Sequence, residues 1–326
     1  MNKIKFGLFM PTGNFAQARA AAEWADTHGF YSVSINDHFF SPLGQPQTPQ
    51  LECFTTLTAV AMATKKVRLT PSVVAASFRT PPLLAKITST LDHVSNGRLT
   101  LGLGAGWKQD EYEAHGYRYP ANAERLAQLS ETVTVLKAMW TQEEPTFHGK
   151  YFQVEKAYNQ PRPVQQPHPP IMLGGSGSGL LKIAAAEADI INLIPPIFNG
   201  KDFVNDPVAT VQFDTAELKR RIAMLQKFTK EAGRKPQDIE LSGLLFLNMS
   251  KTPGDAALRG MATHLGFPDF ETAQRSPVML IGTPDEVRRE LRARIENLGI
   301  TYYIVAAASE ESRDLFAKEV MPEFTA

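Results

Sequence analysis

The chain has 326 residues, 43% of them hydrophobic and 21% charged, a composition that excludes a disordered or low-complexity protein. Its 34 basic and 34 acidic side chains cancel, which removes the global electrostatic case for nucleic acid or an anionic membrane as partner and leaves a small-molecule substrate. No apolar run reaches the roughly 18 residues of a membrane span, and MNKIKFGLFMPTG is too weakly apolar for a secretory signal, so a cytoplasmic protein is expected.

Ile4 to Met10 reads as a strand, broken by Pro11 and Gly13, and Ala16 to His28 as a helix stopped by Gly29. Tyr31 to Ile35 alternates as a second strand ending in Asn36, Asp37 and His38. A loop leads to a helix from Leu51 to Thr64, in which the single cysteine, Cys53, reads as buried packing. With one cysteine there is no internal disulfide and no metal framework. Val67 to Ala75 is the third strand, and Pro81 and Pro82 open a helix that runs to Val94. Asn96-Gly97 then turns the chain into Arg98 to Gly116, RLTLGLGAGWKQDEYEAHG, a fourth strand that ends in glycines and a tryptophan.

The helix from Ala121 to Trp140 carries Leu126, Leu129, Val133, Leu136 and Met139 on one face. Thr141 to Pro170 is Pro-rich, with a hairpin around His148-Gly149, and reads as an excursion over a barrel surface rather than a domain linker. The rhythm resumes with Ile171 to Leu173, the turn GGSGSG, a helix to Ala188 and a sixth strand, Asp189 to Ile194. Pro195 to Asp214 reads as an irregular loop suited to a lid. A helix from Thr215 to Ala232, a seventh strand (Ile239 to Leu247), a second variable region to Pro277, a helix from Pro284 to Leu298 and a last strand, Tyr302 to Ala306, complete the chain. Eight strands, each but the last followed by a helix, predict an α/β fold of the (β/α)₈ or TIM-barrel type. It would form one domain over residues 1–326, with insertions after strands 4, 6 and 7. A dinucleotide fingerprint is missing after the first strand, where Pro-Thr-Gly stands.

In such a barrel the chemistry gathers at the C-terminal strand ends. His38 there is either a proton donor and acceptor or a loop residue paired to Asp37. Gly174, Gly175, Ser176 and Gly177 lie between strand and helix, where backbone N–H groups hold a phosphate or simply make a turn. Trp107 either stacks on a planar ligand or fills the mouth. Glu111 acts on a substrate or, with Asp110, favours the helix N-terminus. Arg98, Arg125 and Glu131 read as members of structural ion pairs. The scattered histidines and the lack of H-E-x-x-H argue against a metal, and no G-x-S-x-G supports a hydrolase.

SNGRLTLGLGAGWKQDEYEAHG, the R-x₅-E of Arg125 to Glu131, LKAMW, FHGKYFQV and PRPVQQPHPPIMLGGSGSG together resemble the bacterial luciferase-like monooxygenase superfamily, in particular its F420-dependent branch. The resemblance runs over nearly the whole chain. It implies a barrel oxidoreductase using coenzyme F420 or FMN, with Asp37 and His38 flanking the coenzyme ring and His38 as acid/base. It also implies a cis peptide at Ser72-Val73 against the ring, and Gly104, Gly106 and Trp107 beside ring or substrate. Gly174 to Gly177 would hold the coenzyme phosphate, and a homodimer would form through the second and third helices. Phe54 to Met62 and Leu83 to Leu91, apolar or small on more than one face, agree with that. The variable regions after strands 6 and 7 leave the substrate open. A flavin-binding barrel without turnover and a phosphate-handling aldolase or isomerase are the competing readings, the latter weakened by the lack of a strand-end lysine.

Overall fold

The structure is a computed structural model that describes residues 3–43, 45–197, 211–265 and 267–325. In chain order its strands are β1 (Lys5–Phe9), β2 (Ser32–Ile35), β3 (Arg68–Pro71), β4 (Val74–Ala75), β5 (Leu101–Gly104), a small antiparallel pair β6 (Phe147–His148) and β7 (Gln153–Val154), β8 (Ile171–Gly174), β9 (Ile190–Leu193), β10 (Glu240–Met249), β11 (Met279–Gly282) and β12 (Tyr302–Ala307). The main sheet is parallel and runs β3-β2-β1-β12-β10-β9-β8-β5-β4. A bridge between Leu69 and Leu99 joins β3 to the chain entering β5 and closes the ring. With β3 and β4 counted as one interrupted stave, the expected eight-position barrel is present among the described residues.

Alternation along each strand sorts the side chains into two layers. Leu8, Val33, Leu69, Leu101, Leu103, Leu173, Ile191 and Val305 join the main core with the helices. Met172, Ile190, Tyr302 and Ile304 form a separate cluster with Phe9, Val73 and Leu244. Around that cluster the barrel interior is polar: the Ser32 and Tyr302 hydroxyls are 2.5 Å apart, and Asn192 donates to Ser242 Oγ at 3.0 Å. Gly7 is required here, since a Cβ would stand 2.3 Å from Ser32 Oγ.

The helices start where the local chemistry says they should. Asn14 caps α1 (Phe15–Thr27) by accepting from Gln17 N–H, Glu52 caps α2 (Cys53–Ala63) through Thr55 N–H, and Pro81 opens α3 (Pro81–Val94). Thr283 and Glu286 form a capping box on the Pro284–Leu298 helix, which ends at Gly299 with φ +68°. The Pro-rich excursion lies against the barrel as expected, with Gln165 bonded to Asp92 and to the Leu99 carbonyl.

Four expectations are revised. The third strand is split, because the Ser72-Val73 peptide is cis and interrupts the pleat between Pro71 and Val74. The region after the seventh strand contains two helices, Ala256–His264 and Phe270–Arg275, and the extra strand β11, which pairs with the upper half of β10 beyond the reach of β9. The last strand does have a helix after it, Glu310–Leu315. The residues read as ion-pair members bind backbone instead. Arg98 donates to the carbonyls of Ala61, Thr64, Val67 and Ser95, Arg125 to those of Gly106 and Pro120, and the Glu131 carboxylate accepts from Lys150, Tyr151 and Phe152 N–H. Carbonyls left over at turns and strand ends give a guanidinium as many partners as a carboxylate would. Most of the loop read as a lid, residues 198–210, lies outside the described residues.

Candidate active site

A cavity of about 550 Å³ opens over the C-terminal ends of the strands, a size typical of small-molecule sites. Every residue proposed from the sequence lines it: Asp37, His38, Ser72, Val73, Gly104, Gly106, Trp107, Glu111 and Gly174 to Gly177.

At its centre is a histidine held by a buried carboxylate. His38 follows β2, and Glu111 lies in the first turn of α4 (Gln109–Ala114). His38 Nδ1 is 2.8 Å from Glu111 Oε2, with the two side chains 13% and 1% exposed. The other carboxylate oxygen accepts from the backbone N–H groups of Phe39 and Phe40. Glu111 therefore fixes both the ring and the chain that carries it. With Nδ1 turned to Glu111, Nε2 is the nitrogen available to the cavity, and among the described residues it has no hydrogen-bond partner. Trp107 meets the His38 ring edge to face, with centroids 5.5 Å apart.

Asp37 has a different place. Its carboxylate takes a forked pair from Arg79, at 2.7 and 3.0 Å, and accepts from Ala75 N–H at 3.3 Å. Burial pushes the Asp37 carboxyl above its usual range and outweighs the pull of Arg79. Arg79 also bonds Glu52, the cap of α2. Asp37 thus ties the end of β2 to β4 and, through Arg79, to α2.

The packing of the wall itself requires several of the glycines. A Cβ on Gly104 or Gly174 would come within 2.9 and 2.8 Å of the Val73 side chain. One on Gly106, whose φ is +77°, would sit 1.7 Å from the Tyr112 hydroxyl. These positions make space for neighbours that form the wall. Gly177 differs: its Cβ would meet open space, and it precedes α6 (Ser178–Glu187), whose first residues Ser178 and Gly179 also face the cavity. Backbone N–H groups at a helix start beside an open glycine suit a phosphate. The Ser176 hydroxyl is engaged within the wall, donating to the Ile194 carbonyl at 2.6 Å.

Sequence reasoning missed Arg79, Tyr112 and Arg221. Burial pushes the Tyr112 hydroxyl up to about 12, against the pull of its bond to Ser77, so it stays neutral. Arg221, on the Thr215–Glu231 helix, donates to the Ser176 carbonyl at 2.9 Å and steadies the glycine turn. Of these only Tyr112 carried a signal, one residue after Glu111. The two arginines stand far away in sequence from the groups they hold.

Residues 4–202 match the family model described as luciferase-like monooxygenase. The chain belongs to the luciferase-like monooxygenase family. An F420-dependent glucose-6-phosphate dehydrogenase of Nakamurella multipartita is 27% identical over 99% of this chain and 97% of its own length. An FMNH₂-dependent dimethylsulfone monooxygenase of Pseudomonas putida is 29% identical over 52% of this chain and 46% of its own. A Mycobacterium tuberculosis relative, 32% identical, matches 49% of this chain, which spans only 60% of that protein. Among solved structures, an F420-dependent secondary alcohol dehydrogenase with an F420–acetone adduct has the same fold, with a TM-score of 0.81 at 21% identity over 99% of both chains. Among the described residues of this luciferase-like chain, no helix is long and apolar enough to cross a membrane, and no cluster of His, Cys, Asp and Glu is arranged to hold a metal ion.

Proposed function

We propose that this luciferase-like protein is an oxidoreductase that binds a reduced coenzyme, F420 or FMN, in the barrel mouth, with His38 as the acid/base. The observation that carries the reading is the His38–Glu111 pair, an imidazole oriented by a buried carboxylate in the wall of the cavity at the strand ends. F420 comes first, because the match to the Nakamurella enzyme spans both chains whereas the match to the FMNH₂-dependent one covers about half of each.

The residues fit such a group. Gly177, Ser178 and Gly179 offer the phosphate cradle, and Ser72, Val73, Val74 and Trp107 line the same cavity, where the ring would lie. When bound, the reduced ring supplies the two electrons, as hydride from F420 or as activation of oxygen from FMNH₂. The protein supplies orientation and the proton. Glu111 accepts from His38 Nδ1–H, which leaves Nε2 to give or take a proton at the reacting oxygen. Asp37 and Arg79 keep the end of β2 in register, and the apolar walls exclude water.

His38→Ala should lower kcat by roughly 10² to 10⁴ while the coenzyme Kd is kept. Unchanged turnover would remove His38 from its role, and no turnover by the wild type with either reduced coenzyme would favour a carrier. Oxygen uptake during turnover separates oxygenation from hydride transfer. A homodimer and a cytoplasmic location belong to the same reading. Met62, 76% exposed on α2, and Leu83, 52% exposed on α3, are the apolar side chains that a second copy would cover.

A further inference from the structure

Among the described residues the cavity wall carries five formally charged side chains, and each is already engaged. Asp37 is forked by Arg79, and Glu111 holds His38 and two backbone N–H groups. Arg125 binds two carbonyls and lies 4.1 Å from the Tyr119 ring. Arg221 is bonded to Glu217 and the Ser176 carbonyl. Lys108 pairs with Asp110 at 3.2 Å and lies over the Phe40 and Trp107 rings. A phosphate or carboxylate on a reactant would have to break one of these sets and leave a buried charge uncompensated.

The opposite half of the mouth is apolar. β1, β10, β12 and the segment after β9 present Phe9, Leu244, Phe246, Ala306, Ile194 and Pro195 there. The polar exception, Asn192, is 2% exposed and spends its amide on Ser242. Among the described residues, His38 Nε2 is a polar atom of the same cavity without a hydrogen-bond partner, a donor or acceptor suited to one neutral oxygen.

From this we infer that the reactant is an uncharged, largely apolar carbonyl compound or its alcohol, and not a sugar phosphate or a carboxylate. The inference rests on the coenzyme reading above and deepens it. In the reducing direction the carbonyl carbon gains a hydride and the carbonyl oxygen a proton from His38, and the two electrons come from the reduced deazaflavin, which is oxidised. The alcohol reverses each transfer.

A matched pair tests it. The protein is first titrated with F420, so that failure to bind coenzyme, which would defeat the underlying reading, is seen separately. Coenzyme-loaded protein is then titrated with 2-heptanone and with 6-oxoheptanoate, which carries a carboxylate in place of the terminal methyl, and with glucose 6-phosphate as a second anion. The expected result is binding of the ketone at least about 100-fold tighter than either anion, because the charged side chains described in the wall are already paired and the coenzyme takes the glycine cradle. Lengthening the alkan-2-one should tighten binding about three- to fourfold per carbon against the apolar half. Equal or tighter binding of either anion, no gain with chain length, or no ketone binding to the loaded protein would each overturn the inference.

Discussion

His38 and Glu111 show how little of a site lies in either residue alone. Read from position, His38 is equally a proton carrier or a loop residue paired to Asp37; the structure adds that Glu111, 73 residues on, reaches its Nδ1 while the other oxygen gathers Phe39 and Phe40 N–H. Glu111→Gln keeps the shape but offers one acceptor oxygen where three donors meet. It should lower kcat roughly 10- to 100-fold, as partners that orient a functional histidine do, with coenzyme Kd unchanged; a loss confined to coenzyme binding would show that Glu111 serves the ligand directly. The glycines were legible as places of close approach, but not what approaches them, since Val73 and Tyr112 reach them through a cis peptide and a helix turn. Gly106→Ala, with a positive φ and a hydroxyl 1.7 Å from the new Cβ, should destabilise the fold by about 1–3 kcal/mol in denaturant unfolding. Gly177→Ala, which meets open space, should stay near the wild type.

At the scale of elements, the alternation of apolar residues located every barrel strand, because strands buried on both faces read as short apolar runs between breakers. It did not reveal β11. The run Val278 to Gly282 has the same composition as a barrel strand, and only pairing beyond the end of β9 tells it apart as an addition on the rim of β10. Nor does sequence show the clasp between α1 and β3. Asp26 accepts from Lys65, Lys66 and Val67 N–H at 3.0, 2.7 and 2.8 Å. Partial burial raises its carboxyl, but these three donors, helped by Arg98, win and hold it below the ordinary value. A carboxyl with a lowered folded pKa stabilises above its unfolded value, about 3.9, and that stabilisation is lost as pH falls through the folded value. The Tm gap between the wild type and Asp26→Asn should therefore be widest near neutrality and close as pH falls through the folded value. A gap that stays constant with pH would mean that the clasp acts through shape alone.

For the whole molecule, the excursion of residues 142–170 is stitched to α3 and to the chain entering β5 through Gln165 and Asn159, so residues 1–326 should unfold as one domain in a single calorimetric transition. Two separated transitions would divide the chain. In light scattering the protein should have twice the chain mass, and Met62→Lys combined with Leu83→Lys should halve it. In the proposed function the glycine turn before α6 and the wall at Ser72-Val73 together hold a phosphorylated, flat-ringed coenzyme over His38. The most direct test is a fluorescence titration of the wild type and Gly177→Val with F420 and with FMN, since valine at 177 fills the open cradle without entering the packed wall. Micromolar binding of one coenzyme by the wild type, weakened at least about tenfold in a variant of unchanged Tm, is the expected result; no binding of either coenzyme, or equal affinity in the variant, would contradict it.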